Sequence, residues 1–261
     1  MISRNDSKKI PIGIIPAGTG NSLANDIYGR EVDAETAANI IVKMNTKVID
    51  VSSIEEDEVE FYEKKNNNTK KNNNTKNNNN TKNNNITKNK NKNKNRKKIY
   101  FFSMVGLVNV AKRAENYRFL GSYRYKLASI LESLFPSYEY IGQITINKNN
   151  TFRGKFSFLI ICNTEHISKS TIACPGAKLD DGKIAVSFVN TPLHFYQLLG
   201  VENGLSDGSH IFNPHVVYFD DVREISFSTS TPLSMNVDGE VDYIYSPFTL
   251  KVLPKFLSVF V

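Results

Sequence analysis

The 261-residue chain has no run of 18 apolar residues, whereas a helix needs about 20 to cross a bilayer. Its first ten residues, MISRNDSKKI, are polar and charged and carry no apolar core. Neither a membrane-spanning helix nor a secretory leader is expected. Cysteine is scarce: Cys162 and Cys174 are the only two, and their spacing matches neither a metal knuckle nor a redox motif. Reduced thiols in a cytoplasmic protein are the expectation. Acidic residues are missing altogether from 64–98, which holds 13 of the 33 Lys and Arg residues. The rest of the chain then has 20 basic against 26 acidic residues, so the formal charge of +7 belongs to one segment and the remainder is acidic. A folded body of that sign gives no footing for a nucleic-acid partner.

What the basic segment contains is an Asn-Lys-Thr tract with imperfect NNNTK repeats. With almost nothing apolar to bury it cannot offset the entropy of ordering, and residues 64–98 are expected to be disordered. Strand-like segments flank it, Lys47–Ile54 and Ile99–Met104, so it reads as an overgrown hairpin loop, a kind of insertion whose closure entropy grows slowly with length. Attraction to an anionic lipid surface is a second reading of the same charge.

Apolar residues make up 40% of the chain, enough for a real core in one large or two small domains. Asp33 is placed to cap a helix with Ala37, Ile40, Ile41 and Met44 on its apolar face. Arg118–Phe135 has helical spacing and stops at Pro136; a shorter helix is expected over His194–Gly200. Otherwise the C-terminal part reads as strands: Tyr140–Ile146, Phe152–Cys162, Ile184–Val189, Val216–Phe219, Ile225–Ser228, Leu233–Val237 and Phe248–Leu253. The expected class is α/β plus β. A partial α/β nucleotide-binding unit (1–46) precedes a β-rich, antiparallel, sandwich-like unit (47–261).

One stretch organises the rest, Ile10–Gly29, IPIGIIPAGTGNSLANDIYG. Ile12–Ile15 reads as a short buried strand, and Pro16 should end it. Gly18, Thr19, Gly20 and Asn21 then make a small-residue turn before a helix opening at Ser22. Such a turn is an anion site, because the first helical N–H groups are unpaired and glycine lets a phosphate approach the backbone. No lysine follows Gly20, which excludes a Walker loop, and Leu23 stands where a dinucleotide fingerprint needs a third glycine. The words PAGTGNSLA resemble the phosphate loop of the diacylglycerol, sphingosine and ceramide kinase superfamily. NAD kinases share the loop's logic, but Ser22-Leu23-Ala24 suits the lipid branch better.

Three further segments extend the resemblance. GLVNVAKRAENYRFLGSYR, from Gly106 to Arg124, is similar to the family's stretch with two nearby arginines, which implies that Arg118 and Arg124 contact the nucleotide phosphates. Sphingosine kinases carry a lipid-recognising aspartate just upstream, where this chain has Asn109, Val110 and Ala111. No carboxylate is therefore at hand for a sphingoid amine. In Ile160–Val186, the turn Asp180-Asp181-Gly182 resembles one that holds a structural Mg²⁺ in bacterial relatives. The implied ligands are Asp181 and the carbonyls of Lys178 and Lys183, hard oxygen donors of the kind magnesium takes. The word Asp238-Gly239-Glu240 resembles a D-G-E word at the family's interdomain cleft. It implies Glu240 as general base or as part of the nucleotide site, with Asp238 and Gly239 beside the nucleotide.

The resemblance implies an ATP-dependent kinase acting on a lipid hydroxyl, with Mg²⁺, a lipid substrate and peripheral contact with a membrane. The family's G-G-D-G-T word is not present. A truncated product and a degenerate member both remain open, and so does a non-catalytic nucleotide- or lipid-binding remnant. Residues 1–261 alone are accordingly expected to bind ATP poorly and to turn over near background. For the basic tract the expectation is sharper. Deleting residues 64–98 should leave the melting temperature nearly unchanged in calorimetry, and unfolding on deletion would contradict the insert reading.

Overall fold

From Thr46 onward the chain is rich in β-branched and aromatic residues, which fit a pleated, half-buried surface. The computed structural model describes residues 10–18, 21–29, 31–56, 98–106, 116–117, 119, 127, 140–156, 158–168, 170–190 and 193–261. Two helices come first, α1 (Ser22–Tyr28) and α2 (Ala34–Val42). The strands β1 (Thr46–Glu56), β2 (Lys98–Phe101), β3 (Ser103–Val105), β4 (Tyr140–Ile146), β5 (Asn150–Phe156) and β6 (Phe158–Cys162) follow. Next come a small ribbon of β7 (His166–Ser168) and β8 (Thr171–Ile172), then β9 (Ile184–Val189) and helix α3 (Phe195–Gly204). The chain closes with β10 (Val217–Val222), β11 (Glu224–Thr229), β12 (Leu233–Val237), β13 (Glu240–Ile244) and β14 (Phe248–Phe260).

Two six-stranded sheets face each other, ordered β2-β1-β14-β11-β4-β5 and β10-β9-β6-β3-β12-β13. All their ladders are antiparallel. This is the α/β plus β class expected. Phe101, Phe156, Phe188, Phe227 and Phe248 fill the space between the sheets together with Ile54, Met104, Ile161 and Leu250. Burying one such side chain contributes about 1.5–3 kcal/mol. A second cluster lies around Phe158, Cys162, Cys174 and Val201. Both cysteines are buried free thiols, and burial pushes that of Cys162 well up.

Several expectations are corrected. Ile12–Ile15 is not a buried strand: it makes one parallel bridge, Ile12 to Val259, and Ile15 is 53% exposed. Ile12 exchanges backbone hydrogen bonds with Ser258 and Phe260, and among the described residues no ladder continues from it. Ile99–Met104 and Phe152–Cys162 are each two strands in different sheets, the first pair divided at Phe102 and the second between Phe156 and Phe158. Exposed and less exposed residues alternate along β5, while β6 is buried on both faces. Lys98, counted with the tract, belongs to β2 and pairs with Glu55 at 2.7 Å. The flanking strands do pair as a hairpin, Ser52 opposite Phe101 and Glu55 opposite Lys98. Residues 64–97 lie outside the described residues, as does most of the helix expected over Arg118–Phe135. Asp33 caps α2 as anticipated, accepting from the Thr36 N–H at 2.8 Å, and that bond lowers its pKa. Met44 instead falls beyond the helix end and is 68% exposed.

The largest correction concerns β14, expected over Phe248–Leu253. The strand runs on to Phe260 through a bulge in which the register jumps from Leu253 opposite Val51 to Leu257 opposite Ile49. Asp50 sits at the jump and is fully buried. Its carboxyl accepts from the Lys255 N–H at 2.6 Å and from the Gly182 N–H at 2.6 Å. Its own N–H donates to the Leu179 carbonyl at 2.6 Å, and its carbonyl accepts from Asn163 Nδ2 at 3.0 Å. Removing the carboxyl leaves two backbone donors without a partner, each worth about 1–3 kcal/mol when buried. Asp50→Ala should therefore lower stability by about 2–4 kcal/mol in urea unfolding; a loss below about 0.5 kcal/mol would show that the bulge holds itself.

Candidate functional site

Helix α1 begins where the glycine turn ends. Asn21 takes a left-handed conformation (φ 50°), which asparagine tolerates better than most residues. Its side chain closes the turn on itself. The Gly18 N–H donates to Asn21 Oδ1 at 2.9 Å, and Asn21 Nδ2 donates back to the Gly18 carbonyl at 2.8 Å. The segment before the turn passes close to α2, for a Cβ on Gly13 would meet Ile41 Cδ1 at 2.6 Å. Thr19 and Gly20, and likewise Arg118 and Arg124, lie outside the described residues.

A cleft of about 520 Å³ opens between α1 and the sandwich. Ser22, Asn25 and Asp26 line it from α1, Lys47 and Ile49 from β1, and Thr164, Glu165, His166 and residues 177–180 from the far side. With its proton assigned to Nδ1, the His166 ring donates to Asp26 Oδ1 at 3.0 Å, and the His166 N–H reaches Asp26 Oδ2 at 3.4 Å. Burial raises the Asp26 carboxyl above its usual range, against the pull of His166. Lys47 pairs with Asp180 at 2.9 Å across the cleft floor. Glu165 accepts from the Gly176 N–H at 2.9 Å. Neither Asp26 nor His166 stands out in the sequence, being 140 positions apart; only the fold joins them.

The Asp180-Asp181-Gly182 turn lies beside this cleft. Asp181 is exposed, and its Oδ1 accepts from the Lys183 N–H at 3.1 Å. Gly182 takes φ 75° and donates to Asp50. Lys178 lines the cleft, and Lys183 Nζ lies 3.4 Å from Asp221. Among the described residues no three His, Cys, Asp or Glu side chains cluster as metal ligands. A site with one carboxylate and backbone carbonyls needs no such cluster. The turn's donors are all oxygen, and among the described residues Asp181 Oδ2 makes no hydrogen bond, so the turn fits magnesium.

Asp238 and Gly239 form the tight turn between β12 and β13, with φ of 47° and 97°. The Asp238 carboxyl folds down onto the crossing at Phe102. It accepts from the Phe102 N–H at 3.0 Å, the Ser103 N–H at 2.7 Å and the Ser103 hydroxyl at 3.2 Å. Burial of this carboxyl raises its pKa, and the bonds to Ser103 and Phe102 lower it in part. Asp238 is thus given to the backbone, and Gly239 donates to Asn236 Oδ1 at 2.8 Å. Glu240 follows, exposed at the start of an edge strand, and it does not line the cleft beside α1.

The sequence of elements and this loop match known proteins over most of the chain. Residues 2–54 match the family model described as the diacylglycerol kinase catalytic domain, and residues 105–261 the YegS C-terminal NAD kinase beta sandwich-like domain. The chain belongs to the diacylglycerol kinase-type lipid kinase superfamily. A protein of Staphylococcus haemolyticus named diacylglycerol kinase is 30% identical over 92 residues, covering 35% of this chain and 27% of that one. A second from that organism, named "Putative lipid kinase SH2167", is 26% identical over 169 residues, covering 61% and 52%. The chain thus spans about a quarter and about half of these relatives. The crystal structure of a diacylglycerol kinase from Bacillus anthracis superposes with a TM-score of 0.58 at 15% identity, covering 98% of this chain and 70% of that one. That likeness is one of fold.

Proposed function

We propose that the chain carries the phosphate loop and the lipid-binding sandwich of an ATP-dependent lipid kinase, with the two units meeting near residue 46. What supports this reading is the word PAGTGNSLA leading into α1, with Gly18 and Asn21 bonded to each other just ahead of the helix. A glycine-rich backbone before a helix suits the phosphates of ATP. Arg118 and Arg124 would neutralise phosphate charge in bidentate fashion. Glu240 would take the proton of the lipid hydroxyl as its oxygen attacks the γ-phosphorus and ADP leaves. Asp238 would serve by fixing the hairpin on which Glu240 stands, rather than by touching nucleotide. Asp181 and the carbonyls of Lys178 and Lys183 would hold Mg²⁺, whose charge would steady the turn. The substrate class is a neutral glycerolipid or ceramide in preference to a sphingoid base. Among the described residues no helix is long and apolar enough to span a membrane, so substrate would be met at a lipid surface.

The test is transfer of radiolabel from ATP to diacylglycerol, ceramide, monoacylglycerol or sphingosine in mixed micelles. Incorporation close to background is expected, with any lipid-dependent part lost in Glu240→Gln, and robust turnover would contradict the impairment. Equal incorporation by Glu240→Gln would remove Glu240 from the chemistry, and ATP binding without transfer to any lipid would assign the chain a binding role.

A further inference from the structure

The helix that carries the phosphate loop is short, at seven residues, and such a helix is marginal without tertiary support. Leu23 and Ile27 supply apolar support against Ile49, Val51, Leu257 and Val259 of the sandwich. Tyr28 donates to the Ile14 carbonyl, which ties α1 only to the segment leading into it. Among the described residues, the polar side-chain link between α1 and the sandwich is Asp26 with His166. Both carboxyl oxygens are engaged, one by the ring and one by the backbone, so the link fixes the rotation of α1 as well as its distance. The Asp26 side chain is only 13% exposed and that of His166 34%, which shields the contact from water. Asp26 lies five residues beyond Asn21, about 7.5 Å along the axis, so a turn of α1 about this point moves the loop.

We propose that Asp26 and His166 are a positioning pair, which clamps α1 to β7 and thereby fixes Asn21 and the start of the helix, where the phosphate-loop word ends. The nucleotide half of this proposal rests on the phosphate-loop reading above. Apolar burial is non-directional, so it fixes the roll of α1 on the sandwich less sharply than a hydrogen bond does. A two-point hydrogen bond to a carboxylate is directional and shorter-ranged. Glu165 is the charged neighbour on the β7 side, and its carboxyl is held by the Gly176 N–H, so it does not compete for the His166 ring.

Hydrogen exchange with titration of TNP-ATP tests the pair, using Asp26→Asn, His166→Gln and the double variant. Amide protection across residues 25–28 should fall about tenfold or more in each single variant, in line with the loss of a charge-assisted bond. The double variant should lose little beyond either single one, and protection in β6 and β9 should stay unchanged. TNP-ATP affinity should fall in parallel. Unchanged α1 protection in both single variants would overturn the clamp, and so would additive losses in the double variant. Loss of protection with unchanged TNP-ATP affinity would overturn its positioning role. Gly20→Val separates this from the phosphate-loop reading: it should abolish TNP-ATP binding without altering α1 protection. If Gly20→Val binds TNP-ATP as the parent does, or the parent binds none, the phosphate-loop reading fails and takes the positioning role with it.

Discussion

The carboxyl of Asp50 lies fully buried between three segments distant in sequence, and it satisfies a backbone donor from two of them, Gly182 and Lys255. Buried donors need partners. The bulge in β14 and the turn at Asp180-Asp181-Gly182 both turn donors inward that no ladder satisfies. One acidic side chain in the middle of β1 answers both. Through the Gly182 bond it sets the turn whose Asp181 is the magnesium candidate. Through the bulge it bends β14 before Ser258 and Phe260, the residues that pair with Ile12 on the way into the phosphate loop. The turn and the strand that pairs with the segment leading into the loop are thus both tied to one buried residue.

Two features of the site follow from this frame. Asp238 shows the same solution on the other sheet, where a carboxyl satisfies the backbone at the point where the chain crosses between sheets. Asp26 shows it between the sandwich and α1. In each case an acidic residue with a turn-like or exposed appearance in the sequence is spent on backbone donors. This gives the acidic balance of the body a structural use, since a β-sandwich with short crossings has many donors that no strand can pair.

Much of the fold was legible in the residues. β4, β9 and β12 begin and end where their apolar runs do, and the two strands flanking the basic tract pair as their proximity suggested. The errors have definite causes. Ile12–Ile15 has strand composition but pairs at a single residue, so local propensity had no ladder to act on. β14 runs past Leu253 because a bulge lets the ladder resume at Leu257. β13 was missed because EVDYI, with two acids and an exposed edge, lacks an apolar run. Among the site residues, the glycine turn and the D-G-E word were visible as words. Asp50, Asp26 and His166 were not, because their roles come from partners 113 to 205 positions away.

On the proposed reading the Gly18–Asn21 loop receives the phosphates of ATP and the turn at Asp181 holds the accompanying structural cation. A crystal structure of the protein with a non-hydrolysable ATP analogue and Mn²⁺ is the test. Phosphate density is expected against the backbone of residues 18–21, with an anomalous manganese peak within about 2.5 Å of an Asp181 carboxylate oxygen. Nucleotide bound elsewhere, with the loop empty and no anomalous peak at the turn, would contradict it.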